Sequence, residues 1–419
     1  MKIDFETKRG KLYRKFVRSM IAINSISLVL FWIWGTWKKV PSDLNVRAGV
    51  EQGLELMVPA TASIYKNKEE EVRVSLSKAI KIYAEDEETY TMKVNLFGFI
   101  PFKETSVSVI QDIRLIPQGI PIGIFVETDG ILVIDTGSFN DLEGNKVNPS
   151  KEYLQPGDYI HRINGELIKN KQDLMDKISN CKGSELQLEI TRNDQKQIIN
   201  LLPRMNETGE YKLGIWVRDN AQGIGTLTFI DEEGNFGALG HGINDIDTAN
   251  LMELKNGGLY KTDIISITKG MGGKPGELTG VIAYSEKYRM GEIYQNSIEG
   301  IYGKVSMDNF NIEDFLPIAL KQEIKEGKAQ ILSTVSGEKR LYEIEITEIH
   351  QDNDNINRGL ELTVTDPELL DMTGGIVQGM SGSPIIQDGK LVGAVTHVLV
   401  NDPTRGYGIF IENMLDAVG

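Results

Sequence analysis

The run SMIAINSISLVLFWIWGTW, residues 19–37, carries no charged side chain at any of its nineteen positions. As a helix rising about 1.5 Å per residue it spans roughly 28 Å, close to the hydrocarbon thickness of a bilayer. Inside hydrocarbon the backbone must satisfy its own hydrogen bonds, so this part of the chain is restricted to a helix. Lys2, Lys8, Arg9, Lys11, Arg14, Lys15 and Arg18 precede it against only Asp4 and Glu6, and Trp32, Trp34 and Trp37 gather at its far end. The reading is a cytoplasmic basic tail over 1–18 and a transmembrane helix over 19–37, oriented N-in and C-out, with residues beyond about 40 outside the cytoplasm. Only WGTWKKVP follows the run, with no small-x-small cleavage site, which favours an uncleaved anchor over a signal peptide.

The whole chain, 419 residues with 40% hydrophobic and 25% charged side chains, is long enough for two or three packed domains. A net charge of −15, with no basic stripe after residue 40, argues against nucleic acid as a partner. The single cysteine, Cys181, cannot form an internal disulfide, so the fold stands on its core. The fold class is therefore read as mainly β behind one membrane helix. Residues 41–110 alternate apolar and polar positions, as in EVRVSLSKAIKIYAEDEETYTMKVNLFGFIPFKETSVSVI, with a turn near Gly98. They form a small β-rich domain that names no chemistry.

Residues 111–205 have a different order. PIGIFVETDGILVIDTG is followed by a polar insertion, a Pro-Gly-Asp turn, an Ile-x-x-Ile-Asn-Gly turn, a short helix with Leu174 and Ile178 on one face, and a returning strand through Leu186, Leu188 and Ile190. This order resembles a bacterial PDZ domain, an α+β module. The resemblance implies that a peptide adds as a strand, with its carboxylate at a loop matching Ile122, Gly123 and Ile124.

From residue 206 to 419 the pattern is strand-like again, and two short motifs carry chemistry. Leu-Gly-His-Gly presents His241 between glycines. Gln378-Gly379-Met380-Ser381-Gly382-Ser383-Pro384 sets a serine in a turn between β-branched runs. A serine hydroxyl needs a histidine to take its proton and preset N–H donors for the oxyanion, and glycines supply such a backbone. The loop resembles the Gly-Asp-Ser-Gly-Gly-Pro nucleophile loop of chymotrypsin-like β-barrel serine proteases, which would make Ser381 the nucleophile and the amides of Gly379 and Ser381 the oxyanion donors. Asp366, in LTVTDPEL, completes a His-Asp-Ser order, with Asp245, Asp247 and Asp371 as rivals and His397 as a rival to His241. His161 and His350 read as surface residues. No His-Glu-x-x-His motif is present, and neither a metal nor an organic cofactor is expected. The glycine-rich ITKGMGGKPGELTG lacks a phosphate-loop ending and reads as a surface loop.

Anchor, PDZ-like unit, Leu-Gly-His-Gly, Val-Thr-Asp-Pro and Gly-Met-Ser-Gly-Ser-Pro together resemble the sporulation stage IV B serine peptidase family of endospore-forming bacteria. The resemblance implies a His241, Asp366 and Ser381 triad, and autocatalytic cleavage to a soluble form in the space between forespore and mother-cell membranes. It also implies a protein partner: a membrane-held regulator of an intramembrane protease, cut in the signal that activates the late mother-cell sigma factor. Two other readings compete. One is a non-catalytic membrane-tethered PDZ scaffold. The other is an HtrA-like stress protease, in which PDZ units follow the peptidase rather than precede it.

Overall fold

The computed structural model describes residues 8–66, 69–85, 88–310, 315–351 and 355–418. The chain divides into two compact units, residues 1–112 with 320–323, and residues 113–319 with 324–419.

The first unit opens with helix α1, Lys8–Lys39. Its segment Gly10–Lys39 is the single helix among the described residues long and apolar enough to be a candidate membrane span. At its C-terminal end Trp32 stacks on Phe97 at 5.8 Å and Trp37 meets Phe102 edge-on at 5.2 Å. Apart from a small pair formed by Gln52–Leu54 and Ile80–Ile82, the strands that follow are β1 (Asp43–Arg47), β2 (Ala60–Lys66), β3 (Glu69–Ser75), β4 (Thr89–Leu96) and β5 (Ile100–Ile110). These five form one sheet in the order β1-β5-β4-β2-β3, with β1 parallel to β5 and the hairpin turn at Gly98 joining β4 to β5. Alternating residues such as Ala62, Met92, Val94 and Val107 build its core, as period-two patterning requires. Arg47 forks onto Glu323 with bonds of 2.7 and 2.8 Å.

In the second unit the long strand β6 (Arg114–Thr136) serves two structures. Its later residues join the PDZ-like part: β7 (Tyr159–Ile163), helix α2 (Lys171–Ser179), β8 (Leu186–Arg192) and β9 (Gln195–Leu201). Asn170 caps α2 by accepting from the Asp173 N–H at 2.9 Å, and the helix buries Leu174 and Ile178 on a core with Ile131, Val133, Ile160 and Leu188. Cys181 is half-buried against the same core. The polar insertion ends on Leu154, which is buried there too.

The earlier residues of β6 lie in a six-stranded ring. Its other members are β10 (Ile215–Ile230), β11 (Asn235–Ala238), β12 (Leu254–Thr268), β14 (Arg289–Ser297) and β15 (Gly300–Val305), while β13 (Glu277–Ile282) pairs outside the ring with β12. The ladder runs β6-β10-β11-β15-β14-β12, and pairing of β12 with β6 closes it. A second closed barrel follows: β16 (Gly327–Ser333), β17 (Arg340–Ile349), β18 (Leu360–Val364), β19 (Pro384–Gln387), β20 (Lys390–Leu399) and β21 (Asp402–Phe410). Helix α3 (Pro367–Thr373) leads from β18 toward β19, and α4 (Ile411–Asp416) follows β21. Closure removes the unpaired edges that an open sheet of this size would present.

Two expectations are corrected here. The peptidase part does not begin at 206, because residues 116–127 of β6 are a strand of its first barrel, and the PDZ-like segment is inserted after them. Ile122, Gly123 and Ile124 are not a carboxylate-binding loop. Their backbones pair with Gly225, Ile224 and Gly223 of β10 on one edge and with Lys261, Tyr260 and Leu259 of β12 on the other. Ile122 and Ile124 are buried, and a strand paired on both edges has no donors left for a ligand. The next stretch of β6 is also covered, since Leu132–Thr136 pairs with Ile215–Arg218 of β10.

Candidate active site

The two barrels meet at a pocket of about 480 Å³ that contains His241, Ser381 and His397. Each reaches it through a different local device. His241 follows β11 across Leu239 and Gly240, with φ of +70° and +69°. A left-handed leucine is uncommon and persists only where its surroundings hold it. Here the loop is tied down by Asn357, whose Nδ2 donates to the Gly240 carbonyl and to the Ile298 carbonyl, each at 2.7 Å. Ser381 sits between α3 and β19, and its neighbour Met380 points inward, fully buried in the second core. Ser383 is fully buried and does not line the pocket, which separates it from Ser381.

His241 Nδ1 lies 2.9 Å from the Gly242 carbonyl. That contact is a hydrogen bond when Nδ1 carries the proton, leaving Nε2 as the basic nitrogen. Burial pushes the His241 pKa below the ordinary imidazole value, and the Gly242 carbonyl opposes the shift. The His397 ring lies 5.0 Å from it, tilted by 36°. Burial, then His241, then Arg358 bring His397 down to about 4. Both imidazoles are therefore neutral at pH 7. The Ser381 hydroxyl donates to the Thr396 carbonyl at 2.6 Å, so a rotation of its side chain is needed before its proton can pass to His241.

The backbone of the serine loop alternates between fixed and free peptide units. The Gln378 carbonyl accepts from Leu278 N–H, Met380 N–H donates to Val377, Met380 O accepts from Ser383, and Gly382 N–H donates to Val395. Among the described residues no backbone carbonyl takes the N–H of Gly379 or Ser381. Two donors flanking the hydroxyl, each on a peptide unit whose carbonyl is already held, have the makings of an oxyanion hole. Gly379, at φ +100°, is in a conformation that suits glycine.

Among the described residues no Asp or Glu lines this pocket. Asp366, expected as the third triad member, is instead the N-cap of α3: Oδ1 accepts from Glu368 N–H at 2.9 Å and Leu369 N–H at 3.1 Å, and Oδ2 from Glu343 N–H at 3.2 Å. Burial pushes its carboxyl up, but the bonds from Leu369, Glu343 and Glu368, with Arg340 beyond them, outweigh this and hold it below the usual carboxylate range. An aspartate before Pro-Glu is a helix-start signature, and that local role accounts for its place in the chain. The rivals are engaged as well. Asp245 is buried against Arg218, Asp247 pairs with Arg218 at 2.8 Å, and exposed Asp371 faces Lys269 at 3.5 Å. In this structure a backbone carbonyl, not a carboxylate, orients the imidazole. His161 bonds Thr191 at 2.9 Å and His350 faces Glu348 and Glu361, both outside the pocket. Asp366→Ala is expected to lose about 1 kcal/mol of stability through the lost cap, read as a lower midpoint of denaturant unfolding with unchanged slope.

The glycine-rich loop also departs from expectation. Pro275 lines the pocket, Gly276 O accepts from Gln378 N–H, and Leu278 N–H donates to Gln378 O, so this loop braces the nucleophile loop.

Residues 209–415 match the family described as SpoIVB peptidase S55. The segment belongs to that family. The chain is a serine endopeptidase, and the S55 match covers the histidine and serine motifs and all of the second barrel. No curated protein matches the chain in sequence. Among solved structures, the PDZ domain of an SdrC-like protein from Listeria monocytogenes is 23% identical, with TM-score 0.18, covering 21% of this chain and 87% of that one. The active form of the Rv3671c protease from M. tuberculosis is 15% identical, with TM-score 0.27, covering 47% and 73%. The HtrA-type protease AlgW with decapeptide is 11% identical, with TM-score 0.28, covering 54% and 53%. With TM-scores this low, these likenesses carry no weight beside the family match and the pocket geometry.

Proposed function

We propose that the S55 peptidase acts through Ser381 as nucleophile and His241 as general base, with the N–H groups of Gly379 and Ser381 receiving the oxyanion. The supporting observation is the meeting of His241, Ser381 and two free amides in one pocket between the barrels. Ser381 Oγ attacks the scissile carbonyl carbon while its proton passes to His241 Nε2. The same proton then goes to the departing amine, and water, deprotonated by His241, releases the acyl group. Ile224, Leu239, Ile376, Val377 and Val398 wall the pocket and favour an apolar side chain beside the cut bond.

The protein is further proposed to be anchored by α1 with its folded units outside the cytoplasm, supported by the basic residues before the helix and the tryptophans at its far end. Held at that anchor, the peptidase meets its own upstream chain at high effective concentration, which favours self-cleavage between about residues 40 and 68. The family resemblance adds the biological role: cutting a membrane-held regulator of an intramembrane protease in the intercompartment signal of sporulation.

Expression in a membrane-bearing host that lacks other copies tests this reading. Wild type is expected to yield a shortened soluble form, and Ser381→Ala to stay full-length and membrane-bound. Trimming of Ser381→Ala at the same bonds and rate would assign the cleavage to a host protease and end the self-release proposal.

A further inference from the structure

We infer that Thr226, with Thr228 two positions along β10, is a positioning residue that holds the nucleophile loop in its oxyanion-binding form. The inference rests on the proposed roles of Ser381 and His241.

Both threonines are buried in the second unit, and both spend their hydroxyls on the serine loop. Thr226 Oγ1 donates to the Gly379 carbonyl at 2.7 Å, Thr226 N–H donates to the Ser381 carbonyl at 3.0 Å, and Thr228 Oγ1 donates to the Gly382 carbonyl at 2.8 Å. The return bond runs from Leu239 N–H to the Thr226 carbonyl at 3.2 Å, which ties the residue to the turn that delivers His241. One strand residue thus contacts the backbone on both sides of the nucleophile and the chain leading to its base.

The pattern of these bonds gives the latch its effect. The peptide unit between Gly379 and Met380 is held at its oxygen by Thr226 and at its N–H by Val377. The unit between Ser381 and Gly382 is held at its oxygen by Thr226 and at its N–H by Val395. The unit between Gly382 and Ser383 is held at its oxygen by Thr228 and at its N–H by Met380. The two donors left over, Gly379 and Ser381, sit on the units next to these clamped ones. A peptide plane turns only through the φ and ψ of its neighbours, so clamping the adjacent planes restricts how far the two N–H groups can swing from the oxyanion position. Gly379 has little resistance of its own, and without the Thr226 hydroxyl its carbonyl would lose its acceptor role and the plane would be free to rotate.

The full chain in detergent micelles is the material for the test. A fluorophosphonate probe reads the loop directly: Ser381 Oγ forms the O–P bond, fluoride leaves as the P–F bond breaks, the serine proton goes to His241, and the phosphoryl oxygen needs the same two donors. Labelled casein supplies kcat and KM. Thr226→Val, which keeps the shape and the N–H but lacks the hydroxyl, is expected to slow Ser381 labelling and kcat by about 10- to 100-fold, with KM changed by less than about twofold. Thr226→Ser, which keeps the hydroxyl, is expected to label near the wild-type rate. Thr228→Val gives the same kcat pattern and serves if Thr226→Val does not fold. Labelling of folded Thr226→Val at the wild-type rate, or Thr226→Ser as slow as Thr226→Val, overturns the latch while leaving the site intact. Absence of label at Ser381 in wild type overturns the site and the latch together.

Discussion

Ser381→Ala is expected to lower peptide turnover by about 10⁶-fold, and His241→Ala by a similar factor, because nucleophile and base act as one unit in serine proteases. The double substitution is expected to be no worse than either alone. Both residues sit at a pocket wall rather than in a core cluster, so melting of the variants should stay near that of wild type. His397→Ala is expected to cost far less, since its ring lies beside His241 while the serine hydroxyl donates to the Thr396 carbonyl rather than to His397. The pH profile provides a second reading. Burial depresses the His241 pKa below 6.5, so the base stays neutral to lower pH and the acid limb of kcat/KM falls below that value. Complete loss in His397→Ala with retained activity in His241→Ala would reverse the assignment of the base.

Gly382→Ala is the second large expected effect, and it acts through sterics. A Cβ at residue 382 would stand 2.1 Å from the Thr226 carbonyl oxygen and 2.6 Å from the Leu239 nitrogen, both backbone atoms that cannot swing aside. Its φ of +97° adds a conformation that L-residues avoid. The loop must therefore move away from β10, which breaks the Thr226 and Thr228 bonds and shifts Ser381 from His241. The expected cost is about 2–4 kcal/mol in unfolding free energy, with fluorophosphonate labelling reduced by more than in Thr226→Val. Wild-type unfolding and labelling in Gly382→Ala would mean that β10 does not press on the loop.

The candidate site was partly legible. Gly-Met-Ser-Gly-Ser-Pro announces a tight, donor-rich turn, and Leu-Gly-His-Gly announces an approachable imidazole, because glycine between apolar runs marks a special backbone. The partners of that loop were not legible. Thr226 and Thr228 look like ordinary strand residues in GIGTLTFI, and only their alternation on one buried face hints at a shared job. Order along the chain alone suggests Asp366 as the triad acid, while its next two residues, Pro367 and Glu368, spell a helix start.

The sequence by itself determined the elements: the uncharged span of α1, the period-two strands, the short helix with Leu174 and Ile178 inward, and the turn that carries Ser381. These are set by patterns within one or two turns of chain, where side-chain spacing and backbone sterics act directly. Only the tertiary structure decided which strands close on which. Residues 116–127 joined a barrel whose other strands begin nearly ninety positions later, and 215–218 covered the strand edge of the PDZ-like part. It also decided that a backbone carbonyl rather than Asp366 meets His241. Pairing between distant strands is selected by how all the apolar faces pack at once, and apolar alternation, which is nearly the same in every strand, does not label the partner.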